Sequence, residues 1–294
     1  MTYRSIFLAA DWAHQKYFGW KELSCEPGLR ILRKGRFPVT RYLFLLERAG
    51  RDALDRQVSR CLGKAGLSDI VVHDFDDVLA SGYSVESRLF RKAEQRERLL
   101  NVATFVIDLR KSDDELMARM SADYRRKIRK AASTDVEIEA NANPPQLLIN
   151  EFADELRRFA QERGLKVVDP MVLSRMYRDG NAILLVARKL GKTTNFLHLY
   201  KAADAASFMY GVNLSKQNDG AGQYLHFEAM LVLRSQGVSW YDMGGVASSD
   251  PSDGIYRFKE KFGGEYVSLG CEWRYTGRVA SALLMVRNIR QRPR

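Results

Sequence analysis

The fold class of this 294-residue chain depends on residues 183–214, which read ILLVARKLGKTTNFLHLYKAADAASFMYGVNL. Three short apolar runs stand out in this segment, at Ile183–Arg188, Asn195–Lys201 and Ser207–Leu214. Turn-forming residues separate them, with Gly191-Lys192 in the first gap and Asp204 in the second. Short apolar runs joined by tight turns predict three consecutive antiparallel strands.

Helices and a fourth strand are predicted on either side of this segment. Gln146–Arg163 has the apolar spacing of an amphipathic helix, and Asp169-Pro170 begins another helix, which ends at Gly180. Downstream, a helix is predicted at Gln223–Ser235 and a strand at Val238–Asp242. The order helix–helix–three strands–helix–strand predicts an α/β arrangement around a mixed sheet.

The first third of the chain resembles a weaker version of the same pattern. Strands are predicted at Tyr42–Leu46, Ile70–Val72 and Phe105–Leu109, with a helix at Arg51–Lys64 between the first two. The stretch Asn141–Pro145 (NANPP) is typical of a linker. We therefore expect two domains, 1–143 and 144–294.

The best-marked helix of the chain begins after Ser112. Ser112 and Glu115 form a capping box, and Asp113 and Asp114 place negative charge at the helix N-terminus. Basic residues at positions 125–130 follow near the C-terminal end. One apolar stripe continues to Ala131 and predicts one buried face; its members are Leu116, Met120, Tyr124, Ile128 and Ala131.

Composition excludes several classes of protein. Hydrophobic residues make up 46% of the chain, which excludes global disorder, and no apolar run approaches the length of a membrane span. The N-terminus lacks the pattern of a secretory signal, and three scattered cysteines indicate no disulfide framework, so we expect a cytoplasmic protein. Four unclustered histidines predict no metal site. The net charge of +11 is compatible with a polyanionic partner and equally with an ordinary solvated surface.

Three motifs carry possible chemistry, and each has a plain structural alternative. The glycines of Tyr241–Gly245 (YDMGG) allow close approach to a ligand, or form a simple strand-to-loop turn. In Tyr256–Gly264, Phe258 and Phe262 share a buried helix face, while Lys259 and Lys261 project into a cleft or into solvent. The run Arg125–Lys130 binds phosphate or is a solvated face. No Gly-x-Ser-x-Gly or Gly-x-Gly-x-x-Gly motif is present.

Taken in order, these segments resemble the FemABX aminoacyltransferases of peptidoglycan bridge synthesis. Thr104–Leu109 and Tyr124–Ala131 are similar to that family's strand and its Arg-x-x-Ile-x-x-Ala helix. Phe208–Asn213 is similar to its Tyr-x-Gly-x-Ser strand, with Asn213 in place of Ser. Tyr241–Gly245 and Gly254–Gly263 are similar to its most recognisable stretch. The resemblance covers residues 100–275 well and residues 1–100 poorly.

The resemblance implies two GNAT-like domains, each a mixed, mainly antiparallel sheet flanked by helices. It also implies transfer of an aminoacyl group from aminoacyl-tRNA to an amine of a cell-wall precursor or natural-product peptide. Lys259 is the expected catalytic residue, because a fixed donor stabilises the tetrahedral oxyanion of acyl transfer. Asp242 is expected to orient a donor or to receive a proton. The expected substrate-binding residues are Arg125, Tyr210, Tyr241, Gly244, Gly245, Tyr256 and Phe258.

Alternatives remain open at this point. An acyl-CoA N-acyltransferase on the same fold needs a pyrophosphate loop, and Asn218–Gly222 has the right position but lacks the usual initial Arg or Gln. A non-catalytic RNA-binding protein is a third interpretation. We expect no cofactor besides the acyl donor, a monomer, and a possible contact with a membrane surface.

Overall fold

The computed structural model describes residues 14–36, 38–62, 66–79, 90–165, 167–215, 219–246 and 250–283. The chain divides into two compact units. The first unit comprises Thr104–Val267 and the N-terminal stretch to Tyr17, and the second comprises Phe18–Ala103 and the chain from Ser268 onward. Each unit contains its own sheet.

The first unit is built on a seven-stranded sheet in the order β12-β6-β11-β10-β9-β8-β7. The described pairings are antiparallel except for β10 with β11, which run parallel and are joined through a helix. The strands are β6 (Ala103–Asp108), β7 (Val136–Asn141), β8 (Ala182–Lys189), β9 (Lys192–Ala202), β10 (Ala205–Asn213), β11 (Trp240–Gly245) and β12 (Glu265–Ser268).

Helices cover both faces of this sheet, and the strand alternation determines which side chains they meet. On one face, Phe196 of β9 packs against Phe152 of α5. On the other face, Phe208 of β10 contacts His226 of α7. The helices of the unit are α1 (His14–Tyr17), α3 (Asp113–Arg119), α4 (Ala122–Ala132), α5 (Gln146–Glu162), α6 (Pro170–Arg178), α7 (Ala221–Ser235) and α8 (Gly254–Glu260).

The second unit has a six-stranded sheet in the order β1-β2-β3-β4-β13-β5, covered by α2 (Arg51–Leu62). Only β3 and β4 are parallel among the described pairings. Leu54 and Val58 of α2 belong to a buried cluster with Phe44 of β3 and Val72 of β4. The strands are β1 (Lys21–Glu26), β2 (Leu29–Arg36), β3 (Val39–Leu46), β4 (Ser68–Asp74), β5 (Arg91–Lys92) and β13 (Cys271–Thr276). Two mixed, mainly antiparallel sheets with flanking helices confirm the predicted fold class.

The division between the units differs from the predicted boundary at 143/144. Residues 142–145 connect β7 to α5 inside the first unit, because β7 pairs with β8 along its whole length. The chain instead passes between the units near Tyr17, Ala103 and Val267. At the last of these points, β12 and β13 are separated by Leu269 and Gly270 and belong to different sheets.

The helix predicted from Ser112 to Ala131 is also two helices, α3 and α4. Ser112 caps α3 as predicted, and its hydroxyl accepts a hydrogen bond from the Glu115 amide. Ser121 then acts as a second N-cap, accepting from the Tyr124 amide. The apolar stripe remains buried across the break, since Met120 and Tyr124 are 2% and 4% exposed.

After β13, residues 278–283 are helical, and residues 284–294 lie outside the described part. Among the described helices, none is long and apolar enough to cross a membrane.

Candidate active site

The candidate site lies where the parallel strands β10 and β11 part. Their pairing runs from Ala205 with Trp240 to Ser207 with Asp242. Beyond that point both strands are irregular: β10 shifts register between Phe208 and Tyr210 against β9, and β11 shifts between Asp242 and Gly245 against β6. The carbonyl groups of Gly244 and Gly245 are thereby free to bind a side chain.

Glycine is required at position 244. Its φ is +72°, in the left-handed region that favours glycine. A Cβ added there would lie 2.4 Å from the carbonyl oxygen of Phe208. The close approach of β10 and β11 therefore depends on the missing side chain.

The side chain that fills this opening is Lys259. It comes from α8, whose N-cap Asp253 accepts hydrogen bonds from the amides of Ile255 and Tyr256. Its Nζ donates to the carbonyl oxygens of Gly244 and Gly245, both at 2.7 Å. Two of the three ammonium hydrogens are thus used, and the third can serve a ligand.

Burial controls the charge of Lys259. The residue is 6% exposed. Burial lowers the pKa of its ammonium group to about 8, an effect that the nearby Asp242 carboxylate partly opposes. The ring of Phe208, with its centroid 5.7 Å from Nζ, adds a cation–π contact. The group is therefore a cation that titrates close to neutral pH.

Asp242 shapes the loop that holds Lys259. It is 2% exposed, and its Oδ1 accepts hydrogen bonds from the Thr104 hydroxyl and, at 2.8 Å, from the Gly244 amide. The Thr104 hydroxyl also lies 2.9 Å from the Gly244 carbonyl oxygen. Through these contacts Asp242 holds the backbone of Gly244 in place. The sequence motifs include Thr104 in a strand but give no sign of this role.

An aromatic wall adjoins Lys259 on the α7 side of the sheet. His226 of α7 lies at its centre, and its ring centroid is 4.9 Å from that of Phe262 and 5.7 Å from that of Phe258. Its Nδ1 is 2.7 Å from the Tyr241 hydroxyl. Burial, reinforced by the positive charge of Lys259, lowers the pKa of His226 to about 3, so the imidazole is neutral. Sequence inspection missed His226, because its neighbours lie far away along the chain.

Six of the predicted site residues meet around this opening: Asp242, Lys259, Tyr241, Gly244, Gly245 and Phe258. Tyr256 is also on α8, but its ring packs against Phe105 and Tyr266, with centroids 5.0 and 6.1 Å away. It supports the start of α8 from the side of β6 and β12.

Tyr210 lies on the opposite face of the sheet from Phe208. The register shift in β10 pairs Phe208 with Leu199 and Tyr210 with His198. The Tyr210 ring stacks on His198, with centroids 5.6 Å apart, and His198 in turn bonds to the Tyr177 hydroxyl of α6. Its packing is therefore with the α6 side of the sheet.

Arg125 has a contact that accounts for its half-buried position. Its Nη1 donates to the carbonyl oxygens of Met120 and Ala118, at 2.5 and 3.2 Å. These carbonyl groups lie at the C-terminal end of α3, where a basic group stabilises a helix. The structure thus places Arg125 at the break between α3 and α4.

The N-terminus of α7 bears on the acyl-CoA alternative. Asn218 lies outside the described residues, but Asp219 Oδ1 accepts a hydrogen bond from the Ala221 amide at 3.1 Å. The Asp219 carboxylate also lies 3.7 Å from Lys189 Nζ. A carboxylate therefore already occupies the helix end at which an anion such as pyrophosphate would bind.

Comparison with solved structures shows the fold of the chain. The whole chain has the fold of tandem GNAT-like proteins. A match to FemX covers 94% of this chain and 93% of FemX, with a TM-score of 0.69 and 16% identity. It also resembles the C-terminal domain of a putative lysylphosphatidylglycerol synthetase from Agrobacterium fabrum (TM-score 0.60, 14% identity, 96% and 92% covered). A tandem GNAT protein of the clavulanic acid pathway matches at a TM-score of 0.52, with 14% identity and 84% and 78% covered.

A family model matches part of the sequence. Residues 197–276 match the FemAB family, a segment that runs from β9 through α7 and α8 to β13 and includes Lys259. The resemblance to FemABX proteins is thereby confirmed. No curated protein matches the chain in sequence.

Proposed function

We propose that this protein is an aminoacyltransferase that moves an aminoacyl group from aminoacyl-tRNA to an amine of a peptide acceptor. The observation that carries the proposal is the buried Lys259 ammonium, fixed by the carbonyls of Gly244 and Gly245 where β10 and β11 part. The FemAB match over the same segment supports the choice of reaction.

The chemistry requires little beyond such a fixed donor. The acceptor amine attacks the ester carbonyl carbon of the donor, and the carbonyl oxygen becomes an oxyanion. The third N–H of Lys259 would donate to that oxygen. One preorganised donor of this kind lowers the barrier by about 3–4 kcal/mol. The carbon–nitrogen bond then remains, the carbon–oxygen bond to the ribose breaks, and the amine proton is transferred to the departing ribose oxygen.

Asp242 acts in this proposal as a positioning residue. Its carboxylate is already hydrogen-bonded to Thr104 and to the Gly244 amide, and it is almost wholly buried. It holds the two glycine carbonyls toward Lys259 and keeps the ammonium charged. No protein nucleophile is needed, since the acceptor supplies the attacking nitrogen.

Two features of the chain favour an RNA donor over acyl-CoA. The first is the Asp219 carboxylate at the N-terminus of α7, which opposes binding of a pyrophosphate there. The second is the net charge of +11, which suits a polyanionic partner. The acceptor class, a cell-wall precursor or a natural-product peptide, follows from the FemABX resemblance.

The decisive experiment offers the purified protein labelled aminoacyl-tRNA pools and, separately, acyl-CoAs, with a panel of amine acceptors. We expect label to reach an amine acceptor only from aminoacyl-tRNA, and pretreatment with RNase to abolish the transfer. Transfer from acyl-CoA alone would overturn the donor and retain the reaction type.

Lys259→Met tests the catalytic role directly, because methionine keeps an unbranched apolar stem and removes the ammonium group. We expect kcat to fall by about 10²–10³ while the donor still binds. Lys192→Met is the matched control, because Lys192 is exposed at the start of β9, beside the turn that follows β8. Normal transfer by Lys259→Met would exclude the proposed role of Lys259.

A further inference from the structure

One charged surface of the first unit takes no part in holding Lys259. It is formed by the exposed side of α4 and the residue that ends α8. We call it the basic face, and its members are Arg126, Lys127, Arg129, Lys130 and Lys261. Helix α4 carries five basic residues and one acidic residue in eleven positions.

Most of this charge is not neutralised. Asp123 pairs with both Arg126 and Lys127, at 3.0 Å in each case. Among the described residues, no carboxylate lies within ion-pairing distance of Arg129, Lys130 or Lys261. The basic face therefore keeps an excess of positive charge exposed to solvent.

The basic face is continuous with the candidate active site. The Ser121 amide at the start of α4 donates to the Lys261 carbonyl oxygen at 2.9 Å. Lys127 and Lys261 both lie against the Tyr124 ring, with Nζ 5.8 and 5.7 Å from its centroid. The Tyr124 hydroxyl donates to the carbonyl oxygen of Phe258, the residue that precedes Lys259.

The charge is local and does not simply reflect the basic composition of the chain. Helix α5, which lies on the opposite face of the same sheet, carries four acidic and two basic residues. Its two arginines, Arg157 and Arg158, are each paired with a carboxylate one turn away. Helix α4 is thus basic beside Lys259, while α5 on the opposite face carries excess acid.

We propose that the basic face binds the sugar–phosphate backbone of the RNA donor and directs its aminoacylated end to Lys259. This inference rests on the proposed function and names the surface that the donor uses. Lys130 lies six residues after Tyr124, about 9 Å along the helix at ~1.5 Å per residue. The basic face therefore extends about 9 Å along α4 from the residue that contacts Phe258.

The test uses a fluorescein-labelled RNA hairpin with an acceptor stem and a single-stranded CCA end. The variant is Arg129→Gln/Lys130→Gln in the full chain. The matched control is Arg157→Gln/Arg158→Gln, which removes the same charge from the opposite face. We expect the α4 variant to bind the RNA at least tenfold more weakly at low salt. The slope of log K against the logarithm of the salt concentration should become shallower by about 1.5 to 2. The control should bind like the wild type.

Catalysis separates this inference from the proposed function. An aminoacylated CCA trinucleotide lacks the stem, so the α4 variant should transfer from it at the wild-type rate while its KM for full aminoacyl-tRNA rises. The basic face would not be the RNA-binding surface if both double variants weakened RNA binding equally, or if the α4 variant left RNA binding unchanged. Transfer by the wild-type protein would still support the proposed reaction in either case. Loss of binding to anionic phosphatidylglycerol vesicles without any change in RNA binding would assign the surface to a membrane and overturn the inference.

Discussion

The Thr104 hydroxyl and the Lys259 ammonium converge on one atom, the carbonyl oxygen of Gly244, at 2.9 and 2.7 Å. The same hydroxyl also bonds to Asp242, which in turn receives the Gly244 amide. Residues from β6, β11 and α8, which are distant in sequence, thus fix the direction in which the Gly244 carbonyl points. Because Lys259 is held by that carbonyl, its position depends on a residue of β6.

Thr104→Val should lower kcat by about tenfold with little change in KM. Valine keeps the shape of the side chain but leaves buried Asp242 with one hydrogen bond fewer, a loss of ~1–3 kcal/mol in the free energy of unfolding. Urea denaturation and steady-state transfer measure the two effects. Thr104→Ser keeps the hydroxyl and should restore most of the activity; an inactive serine variant would contradict the hydrogen-bonding role.

The alkaline limb of the pH–rate profile should report Lys259. Its pKa is lowered to about 8, so kcat/KM should fall as the pH rises through about 8 and the ammonium loses its proton. Since Asp242 raises this pKa, Asp242→Asn should move the alkaline limb to lower pH. The profile is measured with saturating acceptor for both proteins. An alkaline limb that does not move would assign it to another group.

The same shift has a consequence for stability. The pKa of Lys259 is about 8 in the folded protein and 10.5 in the unfolded chain. Between these two pH values the unfolded chain binds a proton that folded Lys259 has lost. The contribution of Lys259 therefore makes unfolding less favourable as the pH rises. Stability should therefore increase across that window relative to Lys259→Met, in which the contribution is absent. Thermal unfolding of both proteins at pH 7.5 and pH 10 compares the two slopes, and parallel slopes would contradict the lowered pKa.

Gly244→Ala tests the close approach of the two strands against its own control. The added Cβ would meet the Phe208 carbonyl at 2.4 Å, and the backbone φ is unfavourable for alanine. Gly237 has a similar φ of +78° with nothing within 4 Å of its Cβ position. Gly237→Ala should cost ~1–2 kcal/mol from the backbone alone. Gly244→Ala should cost more and abolish transfer, and equal losses of stability would show that the contact is relieved without cost.

Local patterns were sufficient for the elements but not for the division of the chain. Strands and helices with strong periodicity, such as β8 to β10 and α5, lie where the sequence predicts them. The boundary between the units could not be predicted from the sequence, because it depends on β13. This strand follows the first unit in the chain but belongs to the sheet of the second, where it pairs with β4. That pairing joins residues about 200 positions apart, and no local signal records it.

The candidate site shows the same limit. The motif around Tyr241–Gly245 and Lys259 was recognisable because its residues are close in sequence. Phe208 and Tyr210 look equivalent on an alternating strand, yet a register shift places them on opposite faces. Arg125 looks like its basic neighbours, but its side chain binds the carbonyl oxygens at the C-terminal end of α3. In each case the deciding contact comes from another element, and sequence spacing alone does not contain it.

The break between α3 and α4 leads to the last prediction, because it fixes α4 against α8. Ser121 caps α4 through its hydroxyl, and its amide binds the Lys261 carbonyl. Ser121→Ala removes only the hydroxyl and should cost ~1 kcal/mol, the usual loss for an N-cap. Because the amide contact remains, kcat should stay near the wild-type value. Ser121→Pro removes the amide donor as well and should lower both stability and transfer.

Thermal unfolding and transfer assays measure these effects. Ser112→Ala at the cap of α3 is the control, and it is expected to lose similar stability with transfer intact. Full activity in Ser121→Pro would show that the contact between α4 and α8 is not needed to position Lys259.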